Sequence, residues 1–455
     1  MKLIFEGDPL VKTIIGKKGV DENKTYRWSD FVFPLSHKGE NYVFNNLTKR
    51  CYAVGDGLII SPEARYSSSE IADNKDLTML VDDLFLVPED KDEAAFYEGI
   101  VKIARVMKEK NIKKGCKSFV ILPTTACNAR CVYCFEQGMK YVTMTDETVD
   151  QTIRFILENA RKDSDLKISW FGGEPLIGEK TIDRVSAALK EAGISFKAIM
   201  VTNGSLITSE IIEKYVNSWN VLALQITLDG IEEEYNRRKN YYFNYDSAYW
   251  HVLGKIKMVN DARIRLCIRV NLDENNIDGF MQMLGDIRTV ISHPEDIMFD
   301  VVPLFDVHTR ESGIAVMEKI FEILEYLETT EFDTSKHVSV KSLRLRHCMA
   351  DAGGRSVTIA PDGKLYNCEN IGSFDSIGTV YDGITNTQLL KDFSVLEKTR
   401  EKCRGCVSLP DCTTFSRCET PEMHCKYSKK KYLELALKEQ LDNGFSKDDE
   451  QLDDE

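Results

Sequence analysis

The sequence predicts an α/β protein whose central domain is a partial (β/α)6 barrel of parallel strands. Three observations predict it. From Ser118 onward, apolar runs rich in β-branched residues alternate with amphipathic stretches, which is the pattern of repeated βα units. Three closely spaced cysteines, Cys127, Cys131 and Cys134, follow the first of these runs. A later cysteine-dense region has little periodicity, which indicates that metal ligation organises it.

Six apolar runs are the predicted barrel strands. They are Phe119–Leu122, Ile168–Phe171, Phe196–Val201, Val221–Leu228, Ile264–Leu272 and Met298–Leu304. The amphipathic stretches between them read as helices, and one of these ends at Gly193, a typical helix stop. In parallel barrels the active site lies at the carboxyl ends of the strands. Cys127 follows the first strand by five residues, so the cysteine loop is expected at that end.

Composition and charge limit the function classes. The chain has 455 residues, of which 43% are hydrophobic, enough for about two or three domains with sizeable cores. A formal net charge of −14 disfavours a nucleic-acid partner. No apolar run is long enough to cross a bilayer. Thirteen cysteines without a secretion signal indicate metal ligation in a reducing compartment, so a soluble cytoplasmic protein is expected.

The chain is expected to divide into four segments. Residues 1–110 read as a separate α+β domain, 111–330 as the barrel, 331–445 as the cysteine-rich domain and 446–455 as a disordered acidic tail.

The first segment contains a hairpin signal and one long helix. Phe31–Leu35 and Asn41–Asn45 are short β-type runs joined by a turn with Gly39, and apolar spacing predicts a helix from about Glu93 to Lys110. A hairpin packed on helices suits an extended peptide, which can add as an extra strand. The alternative is a cap that only buries barrel surface.

The cysteine loop supplies three thiolates at Cys-x3-Cys-x2-Cys spacing. Iron–sulfur clusters are usually held by four cysteine thiolates, so three protein ligands leave one iron open. The spacing, with the aromatic Tyr133 before the third cysteine, resembles the signature of the radical S-adenosylmethionine (SAM) enzymes. In that family the open iron binds SAM, and one electron cleaves SAM to a 5′-deoxyadenosyl radical. The alternative is a structural zinc site, although no fourth ligand stands nearby in the sequence.

Four further segments, each at the end of a predicted strand, resemble positions that hold SAM in this family. Glu174 follows two glycines that let the backbone approach a ligand, and it is a candidate acceptor for the SAM ammonium. Arg238 and Arg269 are candidates for the SAM carboxylate, or else they form salt bridges. Thr227 stands where the family usually has a serine. The resemblance implies a cofactor site of Gly172, Gly173, Glu174, Asn203, Thr227, Asp229, Arg238, Arg269 and Asn271.

Seven cysteines after the barrel resemble the SPASM extension of radical SAM peptide maturases, which carries two auxiliary four-iron clusters. The resemblance assigns one cluster to Cys403, Cys406, Cys412 and Cys425, and the other to Cys348, Cys368 and Cys418. The spacing departs from the family between Cys412 and Cys418, and the extra cysteine that some members carry after the position of Cys348 is missing. The second cluster is therefore expected to have an open iron, unless His347 or a backbone group completes it. A zinc ribbon is the alternative.

The resemblance implies an enzyme that binds SAM and three [4Fe–4S] clusters, one for SAM and two auxiliary. Its substrate would be a precursor peptide whose leader binds the N-terminal domain, and a flavodoxin or ferredoxin would supply electrons. The favoured product is a thioether crosslink, because of the open iron, with a carbon–carbon crosslink as the alternative.

Glu369 follows Cys368 and matches the place of an acidic base in sulfatase-maturating enzymes. Formylglycine formation is thus a further alternative, although the extra N-terminal domain argues against it. A metal-bearing scaffold without radical chemistry is the non-enzymatic alternative. Cys51, Cys116 and Cys267 are left over as bystanders, and Cys267 is expected in a strand core.

Overall fold

The computed structural model describes residues 1–16, 19–55, 58, 60–109, 115–243, 245–304, 306–333, 340, 342–343, 355–394, 399–412 and 422–444. The strands are β1 Lys2–Glu6, β2 Thr25–Trp28, β3 Val32–His37, β4 Glu40–Asn45, β5 Arg50–Val54, β6 Arg65–Ser67, β7 Leu86–Pro88, β8 Ser118–Ile121, β9 Leu166–Trp170, β10 Phe196–Thr202, β11 Val221–Thr227, β12 Arg265–Leu272, β13 Ile297–Pro303, β14 Ser356–Ile359, β15 Lys364–Tyr366, β16 Gly378–Thr379 and β17 Gly383–Ile384. The helices are α1 Pro9–Ile15, α2 Ser68–Ala72, α3 Lys75–Asp82, α4 Glu93–Glu109, α5 Asp146–Asn159, α6 Glu179–Glu191, α7 Ser209–Asn217, α8 Glu232–Lys239, α9 Ala248–Asp261, α10 Phe280–Val290, α11 Gly313–Leu327, α12 Thr387–Ser394 and α13 Glu422–Asn443.

The chain folds into two compact units. The first unit consists of Met1–Ile112, His337–His347 and Leu396–Glu455, and the barrel unit consists of Lys113–Lys336 and Cys348–Val395. The predicted cysteine-rich segment 331–445 is therefore divided between the two units, and residues 1–110 share their unit with the C-terminal part of that segment.

The barrel unit is built on six parallel strands in sequence order, β8 to β13. Each of the six strand predictions is confirmed, with bounds that shift by at most two residues. Because successive strands are parallel, their carboxyl ends meet at one edge of the sheet. The helices between them bury one apolar face. In α5, for example, Val149, Phe155 and Ile156 are buried, and the Thr145 hydroxyl caps the helix by accepting a hydrogen bond from the backbone N–H of Thr148.

A hairpin from the cysteine-rich segment extends this sheet. Strand β14 pairs in parallel with β8, and β15, β16 and β17 follow as antiparallel strands. Metal was expected to organise this segment because it is rich in cysteines and poor in periodicity, and its strands are indeed only two to four residues long. The structure shows that backbone pairing with β8 organises residues 356–384, and this pairing also covers an edge of the barrel sheet.

The first unit contains two antiparallel sheets, in the orders β1-β5-β4-β3 and β6-β2-β7. The predicted hairpin is confirmed as β3 and β4. Its two-residue turn has positive φ at Lys38 (48°) and Gly39 (82°), the backbone twist that two-residue hairpins favour. The predicted helix is α4.

The core of the first unit joins distant parts of the chain. Val11 of α1 and Tyr97 of α4 are buried in the same apolar cluster as Leu409 and Cys412. Strand β3 buries Phe33 and Leu35 in a second cluster with residues of α13, among them Leu433. The physical reason for the shared unit is that residues more than 300 positions away complete the apolar clusters around α1, α4 and β3. No helix in the described part of the chain is both long and apolar enough to cross a membrane.

Candidate functional site

The cysteine loop leaves the carboxyl end of β8 and is closed at its base by threonines. The Thr125 hydroxyl donates to the carbonyl of Lys140 (2.9 Å) and accepts from the backbone N–H of Val142 (2.8 Å). Thr124 forms a β-bridge with Thr143. The three cysteines of the loop are half-buried free thiols. The sequence thus folds residues 124–143 into a compact loop that presents all three thiols on one short segment.

The Gly172-Gly173 pair is required because the cysteine loop lies directly against it. Gly172 has a φ of 116°, and a Cβ on it would overlap the carbonyl oxygen of Thr124. A Cβ on Gly173 would lie 2.6 Å from the carbonyl oxygen of Thr125 and closer still to that of Ala126. The backbone N–H of Glu174 donates to the Ala126 carbonyl at 2.9 Å. Close backbone approach was expected toward a ligand; the structure shows it toward the chain's own cysteine loop.

Glu174 is fully buried and links β9 to β10. Its carboxylate accepts hydrogen bonds from the Leu176 N–H (3.1 Å), the Thr202 hydroxyl (2.8 Å) and the Asn203 N–H (2.8 Å). Burial raises the pKa of Glu174 to about 7, while these hydrogen bonds act in the opposite direction. This carboxylate positions the end of β10, and its contact with the SAM ammonium stays a prediction.

We expect the buried Glu174 to make stability depend on pH. Its pKa is 4.5 ordinarily and about 7 in the folded chain, so folding is favoured below pH 4.5 and this contribution is lost as the pH rises through about 7. The loss amounts to about 3 kcal/mol, at about 1.4 kcal/mol per pKa unit. Thermal unfolding at pH 5 and pH 8 should show it. The non-titrating Glu174→Gln should lower the melting temperature at both pH values, and the difference in melting temperature between pH 5 and pH 8 should become smaller. If that difference stays the same, Glu174 does not cause the pH dependence.

Asn203 connects the end of β10 to the cysteine loop. Its side-chain amide donates to the side-chain oxygen of Asn128 at 2.7 Å and lies 3.8 Å from the Cys127 sulfur. Its side-chain oxygen accepts from the Ser205 N–H (3.0 Å) and the Ser205 hydroxyl (2.7 Å). The structure therefore brings predicted site residues from two different strand ends together.

A buried polar network holds Tyr133 at the ends of β11 and β12. The Tyr133 hydroxyl donates to Asp229, which also accepts from the backbone N–H (2.9 Å) and side-chain amide (3.1 Å) of Asn271. The ammonium of Lys239 donates to the Tyr133 hydroxyl at 2.9 Å and lies 3.4 Å from the Asp229 carboxylate. Asp229 and Lys239 are both buried. The network joins the aromatic residue of the cysteine motif to two predicted SAM-binding positions.

Lys239 is a residue of this site that sequence reasoning missed. It follows Arg237 and Arg238, and a guanidinium is a better carboxylate ligand than an ammonium, so the neighbouring Arg238 was the candidate. Burial alone would lower the pKa of Lys239, but the neighbouring Tyr133 and Asp229 raise it well above its usual value. Its charge also favours the nearby thiolates. Only the fold shows that this lysine, at the end of a run of three basic residues, points inward.

Replacing Lys239 by methionine should destabilise the fold strongly. The variant Lys239→Met leaves the Asp229 carboxylate buried without its cation, and breaking a buried ion pair in this way costs about 3–5 kcal/mol. Urea unfolding measures the effect. The matched control is Lys257→Met, which breaks an exposed pair with Asp261 at 2.7 Å and should cost about 0.5 kcal/mol or less. Equal losses of unfolding free energy in the two variants would show that Lys239 contributes no more to stability than an exposed lysine.

The two predicted carboxylate ligands are both paired with carboxylates of the chain itself. Arg238 is buried and bonds to Glu234 and to Asp273, the latter at 2.6 Å. Arg269 is about one-third exposed and bonds to Asp300 at 2.7 Å. The structure favours the salt-bridge alternative for Arg238. Arg269 of β12 pairs in register with Thr227, another residue of the predicted SAM site. The contact of Arg269 with SAM stays a prediction.

The residues of the cysteine loop fit a cluster that is held by three thiolates. Burial raises the pKa of the Cys127 thiol to about 11, so iron must displace its proton on binding. The hydrogen bond from the Ala129 N–H to the Cys127 sulfur (3.4 Å) favours the Cys127 thiolate, and the buried ammonium of Lys239 favours that of Cys134.

The structure places the predicted auxiliary ligands in two groups. In the first unit, Cys403 and Cys406 pack against the same apolar cluster as the buried Cys412, and Cys425 lies in α13. Cys368 belongs to the barrel unit, and its sulfur accepts from the Asn370 N–H at 3.5 Å.

The neighbouring Glu369 carboxylate lies 3.7 Å from the Cys368 sulfur. Cys348 and Cys418 lie outside the described residues. No three described His, Cys, Asp or Glu side chains converge as a single metal ion would require. The left-over Cys51, Cys116 and Cys267 are buried, as the bystander interpretation expected.

Comparison with protein families gives a match over the barrel. Residues 121–286 match the Radical SAM superfamily. This range contains the cysteine loop, the two glycines, the Tyr133 network and the ends of five of the six parallel strands. The match confirms the radical SAM resemblance drawn from the barrel motifs.

Comparison with individual proteins extends the likeness beyond the barrel. The chain is 24% identical over 348 residues to the radical SAM cyclopropyl synthase TigE of Paramaledivibacter caminithermalis, which is 70% of this chain and 71% of that protein. Its fold is similar to that of anSMEcpe with bound AdoMet and Kp18Cys peptide, with a TM-score of 0.53 and 15% identity over 72% of this chain and 99% of that one. It is also similar to Streptococcus suis SuiB bound to precursor peptide SuiA, with a TM-score of 0.50 and 14% identity over 87% of this chain and 98% of that one. At these identities the solved structures show a shared fold.

Proposed function

We propose that this radical SAM enzyme modifies a ribosomally made precursor peptide by installing an intramolecular crosslink, with a thioether as the favoured bond. The observation that carries the proposal is the cysteine loop. The Gly172-Gly173 turn holds it on one side, and the buried network of Tyr133, Asp229 and Lys239 holds it on the other. The bound cluster and SAM would supply reductive cleavage to a 5′-deoxyadenosyl radical, which takes a hydrogen atom from the peptide.

The chain's own residues would bind and orient the reactants. Cys127, Cys131 and Cys134 hold the cluster, and Asn203 fixes the loop through Asn128. The hydroxyl of Thr227 and the polar groups at the ends of β11 and β12 would bind the ribose and methionine parts of SAM. This would keep SAM at the carboxyl edge of the sheet, where parallel barrels have their active sites.

A peptide substrate is supported by two observations. Both solved structures named above contain peptides, and the first unit provides sheet edges to which an extended leader can add. The edges of its four-stranded sheet are β1 and β3. Strand β3 contains Pro34, which lacks a backbone N–H, so β1 offers the more complete set of donors. We assign leader recognition to residues 1–110 on this basis.

The favoured bond type depends on the second auxiliary cluster. A set of only three cysteines, Cys348, Cys368 and Cys418, would leave an iron open to a substrate thiolate, and Glu369 beside Cys368 is the candidate base. The second candidate is carbon–carbon bond formation, which the likeness to a cyclopropyl synthase favours. Formylglycine formation is the remaining alternative.

Mass spectrometry on peptides encoded beside the gene separates these outcomes. Each candidate peptide is incubated anaerobically with reconstituted enzyme, SAM and reductant, and then treated with iodoacetamide. A thioether removes two hydrogen atoms and protects a cysteine from alkylation, whereas a carbon–carbon crosslink removes two hydrogen atoms and leaves the cysteine reactive. Conversion of cysteine to an aldehyde indicates formylglycine. If SAM is cleaved but every peptide retains its mass, the proposed substrate class is wrong.

A further inference from the structure

A row of aromatic side chains leads from the cysteine loop to the protein surface. It begins at Tyr133 in the loop, continues through Tyr235 of α8 and Tyr249 of α9, and ends at Trp250. Tyr133 is half-buried and the next two rings are fully buried, whereas Trp250 is 44% exposed. We call these four residues the aromatic path. All of them belong to the barrel unit, so the path joins the candidate site to solvent within one unit.

Neighbouring rings of the aromatic path lie close to one another. The ring centre of Tyr249 is 5.8 Å from that of Tyr235 and 5.4 Å from that of Trp250, and both pairs meet edge to face. The Lys239 ammonium lies 5.5 Å from the ring centre of Tyr133 and 5.8 Å from that of Tyr235, so it stands beside both rings. An electron that moves along the path therefore passes from ring to ring in short steps.

Most polar hydrogens of the aromatic path are donated to a base. Three of them are donated to carboxylates: the Tyr133 hydroxyl to Asp229, the Tyr249 hydroxyl to Asp286 at 2.9 Å, and the Trp250 indole N–H to Glu232 at 3.1 Å. Buried tyrosines need a hydrogen-bond partner in any case. A carboxylate partner does more, because a phenol or an indole that loses an electron becomes a strong acid and must release its proton. The aromatic path is thus suited to one-electron oxidation.

We propose that the aromatic path carries oxidising equivalents from the cysteine loop to the surface when the 5′-deoxyadenosyl radical forms without a peptide. The radical takes the hydroxyl hydrogen atom of Tyr133, which breaks an O–H bond and forms the stronger C–H bond of 5′-deoxyadenosine. An electron then moves inward along the path to the Tyr133 phenoxyl radical, whose oxygen regains a proton from Lys239. Trp250, now oxidised, releases its indole proton to Glu232. The low-potential reductant that drives SAM cleavage returns one electron to Trp250, and solvent replaces the protons.

This route protects the cysteine loop when no peptide is bound. The carbon-centred radical is a stronger oxidant than a phenoxyl radical, and cysteine thiolates beside it are readily oxidised. Transfer of the oxidising equivalent to Trp250 places it where a reductant in solution can reach it, because that side chain is 44% exposed. The inference rests on SAM cleavage and is independent of the proposed peptide product.

The experiment follows a single peptide-free turnover in the reconstituted full-length enzyme. The variants are Trp250→Phe and Tyr249→Phe, which keep a ring but remove the oxidisable group. The matched control is Tyr326→Phe, at an exposed ring of α11 outside the path. The cluster is reduced, excess reductant is removed, and SAM is added. One sample is frozen for electron paramagnetic resonance with indole-deuterated tryptophan, and another is opened to air and searched for added oxygen by mass spectrometry.

We expect the native chain and the control to show a protein radical whose spectrum narrows with deuterated tryptophan, and to gain oxygen at Trp250. In both path variants the tryptophan component should be lost, a tyrosyl radical should remain, and oxidation should shift to the peptide that contains the cysteine loop. The amount of 5′-deoxyadenosine should stay at the native level. The proposal is overturned if the native chain forms no protein radical, if the tryptophan component survives in either variant, or if the control loses it too.

The first step is tested separately by deuterium transfer. In D2O the phenol hydrogens exchange and the carbon-bound hydrogens do not. The 5′-deoxyadenosine formed without peptide should therefore contain one deuterium atom in the native enzyme and none in Tyr133→Phe. Product without deuterium in the native enzyme would overturn the transfer from Tyr133. Because no peptide is present, these results do not depend on the proposed peptide substrate.

Discussion

Replacing Cys127, Cys131 and Cys134 together with alanine is expected to lower the iron content from about twelve to about eight atoms per chain and to abolish reductive SAM cleavage. The three cysteines lie on one closed loop, so the variant removes all protein ligands of one four-iron cluster. Those predicted auxiliary ligands that the structure describes lie elsewhere, at Cys368 after β15, at Cys403, Cys406 and Cys412, and at Cys425 in α13, and should retain their irons.

Anaerobic reconstitution followed by iron and sulfide counting tests this expectation, and 5′-deoxyadenosine is measured by chromatography. The control is a triple alanine variant of the buried Cys51, Cys116 and Cys267, which should keep about twelve irons and full SAM cleavage. Bound zinc with about four irons in the native chain would contradict the two auxiliary clusters. SAM cleavage that survives in the first variant would contradict the catalytic role of the loop.

Replacing Gly173 with alanine is expected to displace the cysteine loop although no metal ligand is touched. The new Cβ would lie 2.6 Å from the Thr125 carbonyl oxygen and overlap that of Ala126. Backbone atoms must then move, because no flexible side chain can give way. A displacement of about 1 Å can cost about a hundredfold in rate. We therefore expect SAM cleavage to fall about a hundredfold and the SAM-binding cluster to become labile.

The matched control is Gly254→Ala in the exposed part of α9, where a Cβ meets no atom within 4 Å. Alanine is favoured over glycine in a helix by about 1 kcal/mol, so this variant should unfold at slightly higher urea and cleave SAM normally. Iron counts and circular dichroism are measured on both variants. A Gly173→Ala protein with native iron content and native cleavage would show that the loop tolerates the added methyl group.

Element type in the barrel could be predicted because local pattern determines it. Each barrel strand is a largely apolar run, so its position in the sequence can be recognised without the fold. The predicted 221–228 and observed Val221–Thr227 strands differ by one residue, and 298–304 and Ile297–Pro303 by one at each end. The cysteine loop could be found for the same reason, since its chemistry lies in 12 consecutive residues from Thr124 to Phe135.

Pairings between distant residues could not be predicted in the same way. Arg238 binds Asp273, which follows β12, and Arg269 binds Asp300 within β13; nothing near either arginine in sequence signals these two acids. Lys239 stands in a basic run that suggests solvent. Strand β14 is four residues long, and its position follows only from an available edge of β8.

The division of the cysteine-rich segment between two units could not be predicted for a related reason. The cysteine spacing suggests that residues 348–425 form one domain, whereas the unit to which each part belongs depends on the apolar surface or sheet edge that it covers. Leu409 and Cys412 cover α1 and α4, and residues 356–384 extend the barrel sheet. The predicted roles of these parts, leader recognition and auxiliary clusters, remain proposals.

The shared core of the first unit has a consequence for synthesis on the ribosome. Residues 1–112 emerge first and can bury one apolar cluster among themselves, but the clusters around α1, α4 and β3 are complete only with Leu409, Cys412 and α13. At about 5–20 residues per second, roughly 15 to 65 seconds pass between the two events. The barrel unit can fold in this interval, whereas part of the apolar surface of the N-terminal segment stays uncovered. A nascent chain stopped before α13 should therefore bind a chaperone through its first 112 residues, and release should follow when the last helix has been made.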